Sequence, residues 1–324
     1  SSNPCHPEWQ GITCSSEGPC RVIALDLASC RLNGSLPEAI SELSALTSLD
    51  FNANHVTGPF PTNFTQLTAL DYVNASSNNM TGTLSPALFS SVINLTTFHV
   101  KYNHFTGTLP PTLASLLRIV SLDFSSCNFD PAPFPSALLS LTSLQSLGMF
   151  QSRITGTLPY VLSNMSSLCT LVLHNNRFTG SIPSSLGELS LLSHLQLEYN
   201  RLTGTVPASM GCLSALALLE LSFNVLSGAF PAALCEATNL QELALDKFNS
   251  TLPSEIGKLT ALRALYISYN NFTGPLPLTF SQMVSLNDFV ADQNSLTGTF
   301  PPLYNYPNIT RWETANNLFA GTIP

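Results

Sequence analysis

The phrase YNRLTGTVP at residues 199–207 returns as NNRFTGSIP at 175–183 and as YNNFTGPLP at 269–277. A chain that repeats itself at a fixed period has to make one local structure many times over, with each copy meeting the same neighbours. The glycine of the phrase marks the period. It stands at Gly34, Gly58, Gly82, Gly107, Gly156, Gly180, Gly204, Gly228, Gly274, Gly298 and Gly321, mostly 24 residues apart. The two wide gaps each hide one degenerate copy. NFDPAPFP at 128–135 gains a residue, and at KFNSTLP, 247–253, the repeat loses two. Thirteen repeats are counted over 22–324, preceded by a short segment, 1–21.

The full unit reads L-x-x-L-x-L-x-x-N-x-L-T-G-x-L-P, followed by about eight helix-like residues, as in LSHLQLEYNRLTGTVPASMGCLSA at 192–215. Leu192, Leu195 and Leu197 begin a short strand and point inward. Asn200 ends the strand, and its amide is placed to bond the backbone of the neighbouring copy, as a buried amide must. Gly204 accepts backbone angles that other residues resist, and Pro207 stops the strand and fixes a turn. One unit cannot bury its own apolar face, whereas a stack of units buries a continuous core. The Asn row runs Asn54, Asn78, Asn103, Asn176, Asn200, Asn224, Asn270, Asn294, Asn317, with Cys30, Cys127 and Ser152 substituting. Cys30 and Cys127 are therefore read as buried ladder residues.

Composition removes several functions. The chain is 44% hydrophobic but only 9% charged, with a net charge of −8. No basic run is present, which argues against a nucleic-acid partner. No apolar stretch approaches the 18 or so residues of a membrane span. The start at Ser1 lacks a leader pattern and reads as already processed.

The repeat resembles the plant-type leucine-rich repeat of 24 residues, the family of receptor-like kinase and receptor-like protein ectodomains and of polygalacturonase-inhibiting proteins. The resemblance covers nearly the whole chain. It implies an α/β solenoid: a right-handed superhelix with a parallel β-sheet on the concave face and short helices or 3-10 turns on the convex face. CHPEWQGITC at 5–14 resembles the C-x-W-x-G-V-x-C cap of such ectodomains. That likeness implies a Cys5–Cys14 bridge with Trp9 packed beneath. Family members usually close with a cysteine-bearing C-terminal cap. Here the sequence stops at FAGTIP, 319–324, which reads as a fragment or as an open end available for self-association.

Nine N-x-S/T sequons, at Asn33, Asn63, Asn74, Asn79, Asn94, Asn164, Asn249, Asn271 and Asn308, point with the cap to N-linked glycans and an extracellular or cell-surface setting. Asn74 lies on the sheet face itself, where a glycan would push a partner toward later repeats. Cys212 and Cys235, 23 apart in successive helical segments, are expected to bridge. Cys20 and Cys169 have no evident partner, and Cys20 competes for the cap pairing.

The variable positions between the leucines face out of the sheet. From the sixth repeat onward they carry Phe150, His174, His194, Glu198, Tyr199, Glu220, Phe223, Tyr266 and Tyr269. Aromatic residues with a few polar groups are what interface centres favour, and the family's ligand sites lie on this face. The aromatics at 199, 223 and 269 have a second reading as simple flanks of the Asn row. His174, Glu198 and Glu220 come from adjacent strands in a combination that metal binding or proton transfer uses, but such residues also arise on any long polar face. No phosphate-cradling loop or nucleophile turn is present. No catalytic residue, metal or cofactor is expected.

The expected function is a non-catalytic recognition module for a peptide, protein or glycan, with a co-receptor as a further partner. The alternatives are a secreted inhibitor of a wall-degrading enzyme and a self-assembling structural glycoprotein. A more distant one is ice binding through the threonines that flank the marker glycines, such as Thr203 and Thr205.

Overall fold

A computed structural model describes residues 5, 10–16, 19–302 and 305–321. Trp9 lies outside the described residues. The chain divides into two compact units, Ser1–Ile154 and Thr155–Pro324.

In the first unit, Ile12–Cys14 runs antiparallel to Val22–Asp26. Parallel strands then follow in chain order: Ser48–Asp50, Tyr72–Asn74, Thr97–His99, Ser121–Asp123 and Ser146–Gly148. In the second unit Thr170–Val172, His194–Gln196, Leu218–Glu220, Glu242–Ala244, Ala264–Tyr266, Asp288–Val290 and Arg311–Glu313 stack the same way. Parallel neighbours need a long crossover, which one repeat supplies. The period-2 alternation of a strand does the sorting. Leu195 is buried, while His194 and Gln196 on either side face outward.

Across the core from each sheet lie five-residue 3-10 helices such as Ser184–Glu188 and Ala208–Cys212, each entered through an extended proline, Pro183 and Pro207. The one α-helix among the described residues is Pro86–Ser91, capped by Ser85 Oγ accepting from the Ala87 amide. Three residues per turn place Met210 and Leu213 on one buried line. Successive helical segments approach backbone to backbone. A Cβ on Gly211 would sit 2.1 Å from the Ala233 carbonyl oxygen, so only glycine fits there.

The same geometry overturns the expected Cys212–Cys235 bridge. Both thiols are free, Cys212 exposed and Cys235 buried. The true period places Cys212 level with Glu236 and Cys235 level with Gly211, the last and the next-to-last residues of their helices. One residue in a 3-10 helix is about a 120° rotation, so one sulfur points out and the other in. Burial pushes the Cys235 thiol up to about 12.

The Asn ladder is present. Asn200 Nδ2 donates to Leu173 O at 3.1 Å and Leu197 O at 3.0 Å, and Oδ1 accepts from Phe178 N at 3.0 Å. Ser152 substitutes with Oγ donating to Phe124 O. Cys127 is buried with Sγ 3.4 Å from Val100 O, as expected. Cys30 is not: it is exposed, and its sulfur reaches only Ala28 O of its own repeat. It stands in the first repeat, so no earlier repeat offers the carbonyl that Cys127 finds. At the cap, Cys5 and Cys14 are bridged, and the free Cys20 sulfur lies within 4.8 Å of both.

Beside the main sheet run short parallel strands, including Arg177–Ser181 and Arg201–Gly204. Here the pairing shifts: Thr179 faces Arg201 and Ser181 faces Thr203, 22 residues apart instead of 24. Equivalent threonines therefore form a slanted row and not a straight file.

Candidate ligand-binding face

The residue just before each ladder position holds a left-handed backbone. Tyr102, Gln151, Asn175, Tyr199, Phe223, Tyr269, Gln293 and Asn316 all have φ between 52° and 58°. That conformation costs roughly 1–2 kcal/mol for an ordinary residue, and a β-branched side chain tolerates it worst. Neither Val, Ile nor Thr occupies this column. The strain is held by stacking, since the Tyr199 amide donates to Ser222 O of the next repeat at 3.0 Å. The side chain is thrown out of the sheet. Tyr199 and Phe223 stack on each other at 4.2 Å and 6°, yet stay 48% and 54% exposed. Tyr269 is 64% exposed. They flank the Asn row in sequence without being buried against it.

In the first unit, Phe150 is half-buried and packs edge-on against Tyr102 at 5.7 Å. Tyr102 is absent from the residues singled out in the sequence, although it shares the left-handed column. His194 begins its strand, exposed, with Nδ1 2.9 Å from Ser193 Oγ.

His174, Glu198 and Glu220 do come together. His174 Nδ1 is 3.6 Å from Glu198 Oε1, and Gln196 Nε2 donates to Glu220 Oε2 at 3.3 Å. Burial, aided by the Glu220 charge, pushes the Glu198 carboxyl up to about 8. Burial also holds His174 below the ordinary histidine value, against the pull of Glu220. Both shifts disfavour the charged forms, so burial works against an ion pair at the close His174–Glu198 contact. Among the described residues these side chains do not converge as metal ligands would.

Glu198 makes stability depend on pH with a definite sign. Between its ordinary value of 4.5 and its folded value of about 8, the folded chain keeps a proton that the unfolded chain has released. Stability must fall as pH rises through that window. Glu242 and Asp246, also raised by burial, add to the slope, whereas His174 opposes it. Glu198→Gln is expected to flatten the thermal midpoint against pH between 5 and 8. An unchanged slope would show that Glu198 ionises normally.

Further along the same face, Ser222, Phe223, Asp246, Tyr266, Ser268, Tyr269, Asp292, Arg311 and Glu313 surround a cavity of about 300 Å³. Tyr266 Oη donates to Asp288 Oδ2 at 3.2 Å. Arg311 is held by Glu313 through two hydrogen bonds, 2.8 and 3.0 Å. Asp246, Arg311 and Glu313 were not anticipated as site residues. Asp246 falls in the degenerate repeat, where column counting loses its place. A second cavity of about 230 Å³ lies in the first unit, at Phe129, Pro133 and Phe134, where the other degenerate repeat has its extra residue.

Comparison with known proteins fixes the family. The repeat family described as Leucine Rich Repeat matches residues 21–43, 94–116, 167–189 and 261–283. A stretch of 54 residues, 17% of this chain and 6% of the relative, is 46% identical to a probable leucine-rich repeat receptor-like protein kinase of Arabidopsis thaliana. The solved structure of a TDR receptor superposes with a TM-score of 0.84 at 32% identity, over 90% of this chain and 51% of that one. The chain is a plant-type leucine-rich-repeat protein. Its fold is equally that of the ectodomain of the Arabidopsis thaliana receptor kinase GASSHO1/SCHENGEN3, solved in complex with CASPARIAN STRIP INTEGRITY FACTOR 2. That match has a TM-score of 0.77 and 29% identity over 99% of this chain and 44% of the other. The Arabidopsis receptor kinase HAESA, solved with the peptide hormone IDA and the co-receptor SERK1, matches with a TM-score of 0.77 and 28% identity over 92% and 54%. The leucine-rich-repeat chain described here spans about half the length of these ectodomains.

Proposed function

We propose that this leucine-rich-repeat chain is a non-catalytic extracellular recognition module that binds a peptide on the outward sheet face of its second unit. The observation that carries the reading is the stacked, half-exposed pair Tyr199–Phe223 on a backbone fixed by neighbouring repeats. Large rigid aromatics left in water are what binding energy concentrates on. Tyr266 and Tyr269 extend the patch, His174, Glu198 and Glu220 border it, His194 offers a separate contact in the second unit, and Phe150 offers another in the first. Two solved relatives are complexes with CASPARIAN STRIP INTEGRITY FACTOR 2 and with IDA and SERK1. By likeness to the latter, a co-receptor is proposed as a second partner. The Cys5–Cys14 bridge suits an oxidising compartment. Glycans are proposed at the exposed Asn33, Asn63, Asn79, Asn164, Asn249, Asn271 and Asn308. Asn74 and Asn94 are half-buried, their side-chain amides donating to Asp50 Oδ2 and Thr68 O, which disfavours a glycan on either.

A pooled library of synthetic plant signalling peptides, screened against the secreted glycoprotein, tests this reading. Tyr199→Ala with Phe223→Ala is expected to weaken any peptide found by about 1,000-fold, two interface anchors at roughly 2 kcal/mol each. The thermal midpoint should stay in place. Undiminished affinity in the double variant would move the site elsewhere.

A further inference from the structure

The cavity at Asp246 exists because the repeat there is short. From Leu197 to Pro207 the chain takes ten steps, and from Leu245 to Pro253 only eight. The hydrogen bonds show which two residues are gone. Leu202 N donates to the ladder residue Asn224, and Phe248 N donates to the ladder residue Asn270 at 2.7 Å, so Phe248 is the counterpart of Leu202. The missing pair is the ladder Asn and the residue after it. Asp246 takes over part of the lost bonding. Tyr199 N donates to a backbone carbonyl, Ser222 O, whereas Phe223 N donates instead to Asp246 Oδ2 at 2.7 Å.

The exchange leaves a residue of unmet bonding. Asp246 is 94% buried by the measure of its 6% exposure, lines the cavity, and has no partner for Oδ1. Ser268 Oγ, also on the wall, is buried and unpartnered. A carboxylate oxygen left bare in a nearly dry wall is costly, and a donor entering from outside removes that cost. Three carboxylates, Asp246, Asp292 and Glu313, face one cation, Arg311, which Glu313 already occupies with both oxygens. Lys247 is exposed and does not line the cavity. Phe223, Tyr266 and Tyr269 add aromatic surface on which a flat cation stacks. A metal ion is a poorer match, because among the described residues these carboxylates do not converge.

We infer that this cavity is a subsite for a guanidinium group, the side chain of an arginine in the bound peptide. The inference rests on the peptide-binding reading above for its occupant, but the pocket chemistry can be measured without that peptide. Asp246 Oδ1 and Ser268 Oγ accept from the guanidinium, Asp292 balances its charge, and the ring of Phe223 or Tyr269 covers its face.

The probes are N-acetyl-arginine amide and its neutral near-isostere N-acetyl-citrulline amide, titrated into the glycosylated 324-residue chain by calorimetry or ligand-observed NMR. The arginine probe is expected to bind with Kd on the order of 1 mM and the citrulline probe about tenfold more weakly. Asp246→Asn keeps an acceptor for the Phe223 amide and removes the charge, so it should bring arginine down to the citrulline level. Asp292→Asn supplies the same test should Asp246→Asn fail to fold, with an expected loss of about threefold. Equal binding of the two probes, no binding of arginine, or indifference to the folded variants would overturn the subsite. The two readings separate cleanly. Arginine bound through Asp246 without any peptide ligand leaves the subsite standing and removes the peptide reading. A peptide whose affinity ignores both Asp246→Asn and replacement of its arginines by citrulline does the reverse.

Discussion

Asn224→Ala is expected to cost about 3–5 kcal/mol, because three buried hydrogen bonds lose one partner while the other is left behind. Asn224 is 6% exposed. Its Oδ1 accepts from Leu202 N at 3.0 Å, and its Nδ2 donates to Leu197 O at 3.0 Å and Leu221 O at 2.9 Å. Alanine cannot answer any of them, and the small void it leaves has room for little water. Asn224→Asp should be worse than its size suggests, since it keeps the acceptor, loses both donors and buries a charge. In a stack where each repeat meets only its neighbours, the damage should be local. Hydrogen exchange should quicken first in the strands His194–Gln196 and Leu218–Glu220. A thermal midpoint within about 2 °C of the parent would mean the ladder is ornamental and the leucines alone set the spacing.

Phe98→Ala is expected to rank beside it, at about 3–5 kcal/mol. Phe98 is fully buried, with its ring 5.2 Å from Phe89, 5.9 Å from Phe60 and 6.1 Å from Phe124. These rings come from successive repeats, so the truncation opens a cavity shared by all of them, and rigid aromatics collapse into it poorly. Phe98→Leu should recover most of the loss. The contrast is with Phe223→Ala, an equal truncation on the outward face, where the expected stability change is within about 1 kcal/mol. If denaturant titration gave Phe98 and Phe223 similar values, the division of the chain into a packing half and a recognition half would be wrong.

The period, the inward leucines, the parallel sheet and the Asn row are all legible in the sequence, because each depends on residue type at a fixed spacing. What escapes is whatever depends on phase within a repeat. Cys212 and Cys235 look adjacent at 23 residues, but a single step around a 3-10 helix sends the sulfurs to opposite sides of the wall. Cys30 carries the ladder motif without a preceding carbonyl to make it buried. The left-handed column announces itself only by what it lacks, the β-branched residues, and that absence shows once the thirteen copies are aligned. Asp246 needed the deletion placed to the residue, and no pattern of spacings does that. Of the face residues singled out, Tyr199, Phe223, Tyr266 and Tyr269 lie in or beside one aromatic and acidic region. His194 and Phe150 do not join it.

The left-handed column has a consequence for how such a surface changes over generations. Each of these positions is a pedestal whose height and tilt are set by the repeats above and below, whatever side chain stands on it. Tyrosine, phenylalanine, glutamine, serine and asparagine all appear there on nearly the same backbone angle. A single codon change can therefore rewrite one letter of the face without disturbing its neighbours, and the new side chain arrives already aimed, with little ordering left to do when a partner binds. The alphabet has one gap, since valine, isoleucine and threonine fit the angle badly. A library randomised at positions 102, 199, 223 and 269 without those three residues should fold nearly as often as the parent, and it would be a direct way to fit this scaffold to a chosen ligand.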